Sequence, residues 1–369
     1  WFIDDWPSRD CNMIRVERRI EVNNSWVIIM YLSACIVGFL LTSLLLWLSG
    51  ADISKAFYAL YKGSMSNQKT ILNSLSKATP LILTGLATVV AFRAQVWSIG
   101  QEGQVYSGAM SAYMASLMFY GLPVWIYLSL IITFGALGGA LLGALSAVLK
   151  NRFNVNEIIS TVMLNYIIIF FLSYMVGGGP WTGVGDQALI YSQSNPVDDT
   201  AKLPFLFDSK KLHFGFVLAI VSVLVCHVLI NHTPFGYEIR AMGHNSVALK
   251  YRGTNTKKTL LYLMILSGAV AGLAGVSEIF GTNHSLRGDT LVGLGFTGII
   301  VGMIGGLTPI GTLVAGVVFG GLASGSVYMK IIAKVPGTLV PTMEGIFLLT
   351  FLIAGVASHY KIVGFKRDV

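Results

Sequence analysis

The sequence predicts an all-α, polytopic transmembrane helical bundle of about ten spans, with broken helices and a weak internal repeat. Three observations predict it. Of the 369 residues, 54% are hydrophobic and only 11% are charged, against about 25% charged in soluble domains, and the mean hydropathy is +0.71. The apolar residues fall in runs of about 20, the length that crosses a bilayer as a helix. The 41 glycines show no G-X-Y period, which excludes collagen and points to helices packed at small residues. An ordinary soluble enzyme, a disordered chain and a disulfide-stapled secreted domain are excluded by the same composition. The net charge of +8 reads as basic residues flanking spans, with no nucleic-acid partner. Cys11, Cys35 and Cys226 form no CxxC, and the latter two read as small core residues.

Taken in order, the chain starts at Trp1 and its first methionine is Met13. Met13-Ile14-Arg15-Val16-Glu17-Arg18-Arg19 has the look of a bacterial start before a first span. Residues 1–12 are therefore expected not to be native, and 1–25 to form a cytoplasmic tail without a signal peptide. Apolar runs predict spans at 26–48, 80–98, 103–120, 124–149, 157–177, 213–230, 259–281, 291–304, 308–327 and 341–357. The run 291–304 is short, and with its neighbour it reads as half-helices meeting inside the protein. Segments 49–79 and 178–212 are expected to be external loops, the second carrying Asp186, Asp198, Asp199 and Asp208. Residues 232–257 form an internal, basic loop, and 358–369 a second cytoplasmic tail. Basic residues set this orientation, through Arg15, Arg18 and Arg19 before the first span, Lys150 and Arg152 after the fourth, and Lys257 and Lys258 before the seventh. Both termini come out cytoplasmic.

Four stretches stand out. Phe92-Arg93-Ala94-Gln95-Val96-Trp97-Ser98-Ile99-Gly100-Gln101-Glu102-Gly103-Gln104 places charges, amides and glycines between two apolar runs. It reads either as a broken helix lining a cavity or as a short solvated turn. In Asn154 through Tyr166, Asn156 can cap a helix, and Thr161 and Asn165 share one face, four residues apart. A buried Asn165 needs hydrogen-bond partners, from a neighbouring helix or from a polar ligand. Gly236 through Gly253, in the internal loop, reads as two short amphipathic helices broken at Gly243-His244-Asn245, suited to an anionic lipid surface or to a cytoplasmic protein. Glycines from Gly293 to Gly325 interrupt the last apolar runs, and the paired interruptions near 80–120 and 291–327 look like an internal repeat.

No phosphate-binding loop of the G-x-x-x-x-G-K-[ST] type occurs, so no ATP hydrolysis is expected of this chain. Neither a catalytic residue set, a metal site nor a cofactor motif is found. Glu278, near an external span end, and Glu344, inside the last span, would be the coupling carboxylates of an ion-coupled secondary transporter of a small polar solute, which is the rival reading.

At these residues the chain resembles the permease subunits of bacterial ABC importers for simple sugars, nucleosides and branched-chain amino acids. It looks closest to the nucleoside and simple-sugar branch, and to the longer of the two permeases in such systems. Ala91-Phe92-Arg93-Ala94 followed by Ile99-Gly100-Gln101-Glu102-Gly103-Gln104 is similar to that branch's "AFRAG…NIGAEGQ". Here Trp97-Ser98 replaces the usual Asn before Ile-Gly. Asn156 through Asn165 is similar to "NEVITTIMLN", and Arg240-Ala241-Met242-Gly243-His244-Asn245 with Ala248 and Gly253 to "RAvG.N..AA.yaGI". The resemblance covers about residues 25 to 357.

The resemblance implies a permease subunit of the bacterial cytoplasmic (inner) membrane. It implies a second, shorter permease, cytoplasmic ATP-binding subunits and a periplasmic or lipid-anchored substrate-binding protein as partners, besides membrane lipid. Glu238, Arg240, Gly243, Asn245, Ala248 and Gly253 would then belong to the coupling helix that docks on an ATPase. Trp97, Glu102, Gln104, Thr161, Asn165 and Phe296 have the chemistry of a nucleoside or sugar pathway. Aromatic rings stack on a base or sugar face, and amides, hydroxyls and carboxylates bond hydroxyls and ring nitrogens.

Overall fold

The long apolar runs leave the backbone no partner in lipid except itself, so they fold as helices. The computed structural model describes residues 15–18, 24–184, 192–207, 211–288, 291–336 and 339–363. The expectations for residues 1–12 and for Asp186 and Asp208 lie outside the described residues. Thirteen α-helices are described. They are α1 (Asn24–Leu48), α2 (Ile53–Ser64), α3 (Gln68–Phe92), α4 (Gln101–Met118), α5 (Val124–Phe153), α6 (Glu157–Val176), α7 (Gly215–His232), α8 (Pro234–His244), α9 (Ser246–Tyr251), α10 (Thr256–Glu278), α11 (Leu294–Ile304), α12 (Pro309–Ile332) and α13 (Leu339–His359). Strands β1 (Arg15–Arg18) and β2 (Tyr360–Val363) pair antiparallel, with Arg15 opposite Val363. The segments before α1 and after α13 therefore meet at one end of the bundle.

Among the described residues, eight helices are long and apolar enough to span a bilayer. The other two of the ten expected spans are α4 and α11. Helix α4 is too polar to count, because Gln101, Glu102 and Gln104 are enclosed by protein and not by lipid. Helix α11 has 11 residues, a rise of about 16 Å and so about half a bilayer.

The expected loop 49–79 is largely helical. Helix α2 carries Ala56, Ala59, Gly63 and Ser64 on its buried face and packs on α12, where a Cβ at Gly325 would lie 2.5 Å from the Leu60 carbonyl. Lys55 and Lys62 on the other faces hide this helix from a search for apolar runs. Helix α3 starts at Gln68, twelve residues before the expected boundary, behind an Asn67–Thr70 capping box.

Burial sorts the helices into layers. The most apolar stretch of α3 is 89% buried, against 22% for α1 and for α6, so α3 lies at the centre and the other two at the periphery. Helices α5 and α10 cross at glycine. A Cβ on Gly139 would lie 2.1 Å from the Gly268 carbonyl, and one on Gly272 2.3 Å from the Gly135 carbonyl. Only hydrogen fits at such a contact. At the end away from the β1–β2 ribbon, residues 192–207 fold over the bundle. Backbone bonds run from Ser194 to Leu286, from Val197 to His284 and from Leu203 to Phe280.

Candidate functional site

The segment between α3 and α4 is the break the sequence pointed to, and its side chains alternate between buried and exposed. After Phe92 the chain turns at Arg93–Gln95, where Gln95 takes φ 57°, then runs extended to Gly100. Ala94, Val96 and Ser98 are 3%, 4% and 0% exposed, whereas Gln95 and Trp97 are exposed, so one side of the link packs on the bundle and the other is open.

Helix α6 holds this link. The Asn165 amide donates to the Ile99 carbonyl at 2.7 Å and accepts from Gly103 N–H at 2.8 Å. Thr161 Oγ1, one turn earlier, accepts from Ile99 N–H at 3.2 Å. Both side chains thus supply the hydrogen bonds that an interrupted helix lacks.

Glu102 does the same for the second break. Helix α11 begins at Gly293, which has φ 87° and no capping side chain of its own. The Glu102 carboxylate caps it from α4. Its Oε1 accepts from Gly293 N–H at 2.6 Å, and its Oε2 from Gly295 and Phe296 N–H at 2.7 and 3.3 Å. An anion that only accepts hydrogen bonds suits a helix N-terminus with free donors and a positive dipole end.

The other predicted pathway residues sit around this junction. Gln104 is buried, as is Gln101 one turn before it, and neither amide has a hydrogen-bond partner among the described residues. Trp97 is 44% exposed and its ring lies 4.8 Å from that of Phe92. The Phe296 side chain is 41% exposed, while its backbone belongs to the Glu102 cap. The structure therefore brings Glu102, Gln104, Thr161 and Asn165 together inside the bundle and leaves the two aromatic rings at its margin.

Helices α8 and α9 form at the same end as the α3–α4 link. Thr233 caps α8 through Gly236 N–H at 3.1 Å, with Pro234 in the first turn. Asn245 ends α8 and caps α9, accepting from Val247 and Ala248 N–H at 3.0 Å each. Gly253, at φ 88°, terminates the pair. Glu238 accepts from the Thr259 hydroxyl at 2.9 Å, and Arg240 donates to the Ile230 carbonyl, so both fasten α8 to its flanking spans. Tyr237, Val247 and Tyr251 remain exposed.

Gly243 is the contact that sequence reasoning did not find. A Cβ there would lie 2.2 Å from the Arg93 carbonyl, so α8 rests directly on the link. Arg93 in turn donates through Nε to the Leu307 carbonyl at 2.8 Å, in the turn between α11 and α12. The sequence marks Arg93 only as a charge within a motif, and no spacing relates it to Leu307.

An integral multi-pass bundle with two backbone breaks at its centre and an amphipathic helix pair beneath them defines a membrane permease. The chain belongs to the family described as branched-chain amino acid transport system / permease component, whose model matches residues 70–356. It is thus a permease component and not a catalytic subunit. It is 34% identical to the guanosine ABC transporter permease protein NupP of Bacillus subtilis, over 90% of this chain and 93% of that protein. It is 27% identical to the glucose ABC transporter permease protein TsgB13 of Haloferax volcanii, over 86% and 85%. It is also 27% identical to the guanosine ABC transporter permease protein NupQ of Bacillus subtilis, over 76% and 86%.

Proposed function

We propose that the chain forms part of the translocation pathway of an ATP-driven nucleoside importer in a bacterial cytoplasmic membrane. The observation that carries this reading is the 34% identity to a guanosine permease across 90% of the chain. A second, shorter permease completes the pathway, a partner suggested by the similarity of this one chain to both NupP and NupQ. Cytoplasmic ATPase subunits dock on α8 and α9, where exposed Tyr237, Val247 and Tyr251 offer apolar and aromatic contacts. A binding protein delivers solute to the opposite end. Both termini are cytoplasmic, in keeping with Lys150, Arg152, Lys257 and Lys258 near the α8–α9 end.

In this mechanism ATP binding closes the ATPase pair and displaces α8. Gly243 bears on Arg93, and Arg93 carries the displacement to Leu307, so both breaks move together. Glu102, Thr161 and Asn165 keep the interrupted helices intact as they move, and Trp97, Gln104 and Phe296 flank the solute's route. Each end state must be favoured by contacts that the other lacks.

The test is reconstitution in liposomes with the neighbouring ATPase, second permease and binding protein, followed by a nucleoside and simple-sugar panel. The expected result is ATPase stimulation and uptake with a nucleoside. Uptake by this chain alone, driven by an ion gradient, would overturn the reading in favour of an ion-coupled transporter.

A further inference from the structure

Glu278 and Glu344 lie on one cavity of about 410 Å³ that also reaches Gly293, at the start of α11. That volume is within the roughly 300–1,000 Å³ usual for small-molecule sites. Lys77, on α3, lines the same cavity, as do Thr297 of α11, Leu81 of α3 and Phe319 of α12.

The polar groups there are under-used. Lys77 Nζ forms an ion pair with Glu278 Oε1 at 3.6 Å, longer than a hydrogen bond. Glu278 Oε1 also accepts from Asn283 at 3.0 Å. Glu278 Oε2 and the Thr297 hydroxyl have no partner among the described residues. Glu278 is 4% exposed and the Lys77 side chain 36%. The pair is loose and borders a polar cavity, a setting in which charge near a membrane face is tolerated.

We propose that this cavity is a solute subsite of the pathway, in which Lys77, Glu278 and Thr297 bond the vicinal hydroxyls of an uncharged ribonucleoside while its base lies on Leu81 and Phe319. The proposal rests on the nucleoside reading above and assigns it a place in the chain. A hydroxyl both donates and accepts, so one diol can bridge an ammonium and a carboxylate that stand as a loose ion pair. Glu344, whose carboxyl meets Ser326, also lines this cavity.

The test compares uptake of guanosine and of 2′,3′-dideoxyguanosine, which lacks the diol, by the complete reconstituted transporter. Glu278→Gln and Thr297→Val should each lower kcat/KM for guanosine by about tenfold and change that for the dideoxy analogue far less. Thr297→Ser should restore guanosine uptake. Equal losses for both solutes, or guanosine uptake unchanged in both variants, would overturn the subsite while leaving the nucleoside reading intact. If Glu278→Gln fails to assemble, the Thr297 pair decides alone. A wild-type transporter that takes up no nucleoside would overturn the function itself, and the subsite with it.

Discussion

Replacing Glu102 removes the acceptor for the first turn of α11 without touching that helix. Glu102→Ala strands Gly293 and Gly295 N–H, which now bond the carboxylate at 2.6 and 2.7 Å, and loses the weaker 3.3 Å bond from Phe296. A buried donor left unpaired costs about 1–3 kcal/mol, so the two short bonds set a loss of about 4 kcal/mol. That is a large fraction of the roughly 5–15 kcal/mol that holds a typical domain together. Glu102→Gln keeps the volume and one acceptor oxygen but turns an NH₂ toward a backbone N–H, for a loss of about 2 kcal/mol. The expected order of stability is wild type, then Gln, then Ala. The assay is thermal unfolding in detergent, read as a half-life at fixed temperature through labelling of the Cys226 thiol, which is 1% exposed in the folded chain. An alanine variant as long-lived as wild type would refute the cap, and a glutamine variant less stable than alanine would refute the hydrogen-bond arithmetic.

Asn165→Leu, which deletes both bonds to the α3–α4 link, should cost about 2 kcal/mol in the same assay and make the link accessible to proteolysis. Gly139→Val should prevent assembly, since its Cβ would meet the Gly268 carbonyl at 2.1 Å, and the variant's yield of folded protein in the membrane measures this. His213, just before α7, accepts from Gly215 N–H through Nδ1 at 3.1 Å, a role for the neutral ring. Burial, with help from His284 and Lys77, holds its pKa down to about 4 from an ordinary 6.5. Its contribution to stability is therefore whole above pH 6.5 and falls by on the order of 3 kcal/mol as the pH drops toward 4. His213→Gln should flatten that part of a stability-against-pH profile, and an unchanged profile would discount the histidine.

Hydropathy alone marks the lipid-facing helices, because α1, α5 and α6 meet an apolar solvent along most of their length. It fails where protein replaces lipid. Helix α2 hides behind Lys55 and Lys62 on its exposed faces, and the first turns of α3 behind Ser74 and Ser76, which are covered by neighbours no local pattern reveals. The α8–α9 boundary at Asn245 is readable because capping is local chemistry. The junction is half readable. Glu102 and Asn165 announce themselves as polar groups at membrane depth, but their partners lie 191 and 62 residues away. Lys77, which faces Glu278 across a cavity, reads in sequence as one more loop lysine.

The Gly243–Arg93–Leu307 contact has a thermodynamic corollary. If the position of α8 biases the two breaks, then the breaks bias α8 by the same free energy, because linkage is symmetric. A solute held between α3, α11 and α12 would therefore be felt at the nucleotide sites of the docked subunits as a change in ATP affinity. A bulky residue at position 243 would remove that coupling in both directions at once. Solute would cease to alter nucleotide affinity, and nucleotide would cease to alter solute affinity, by matching factors.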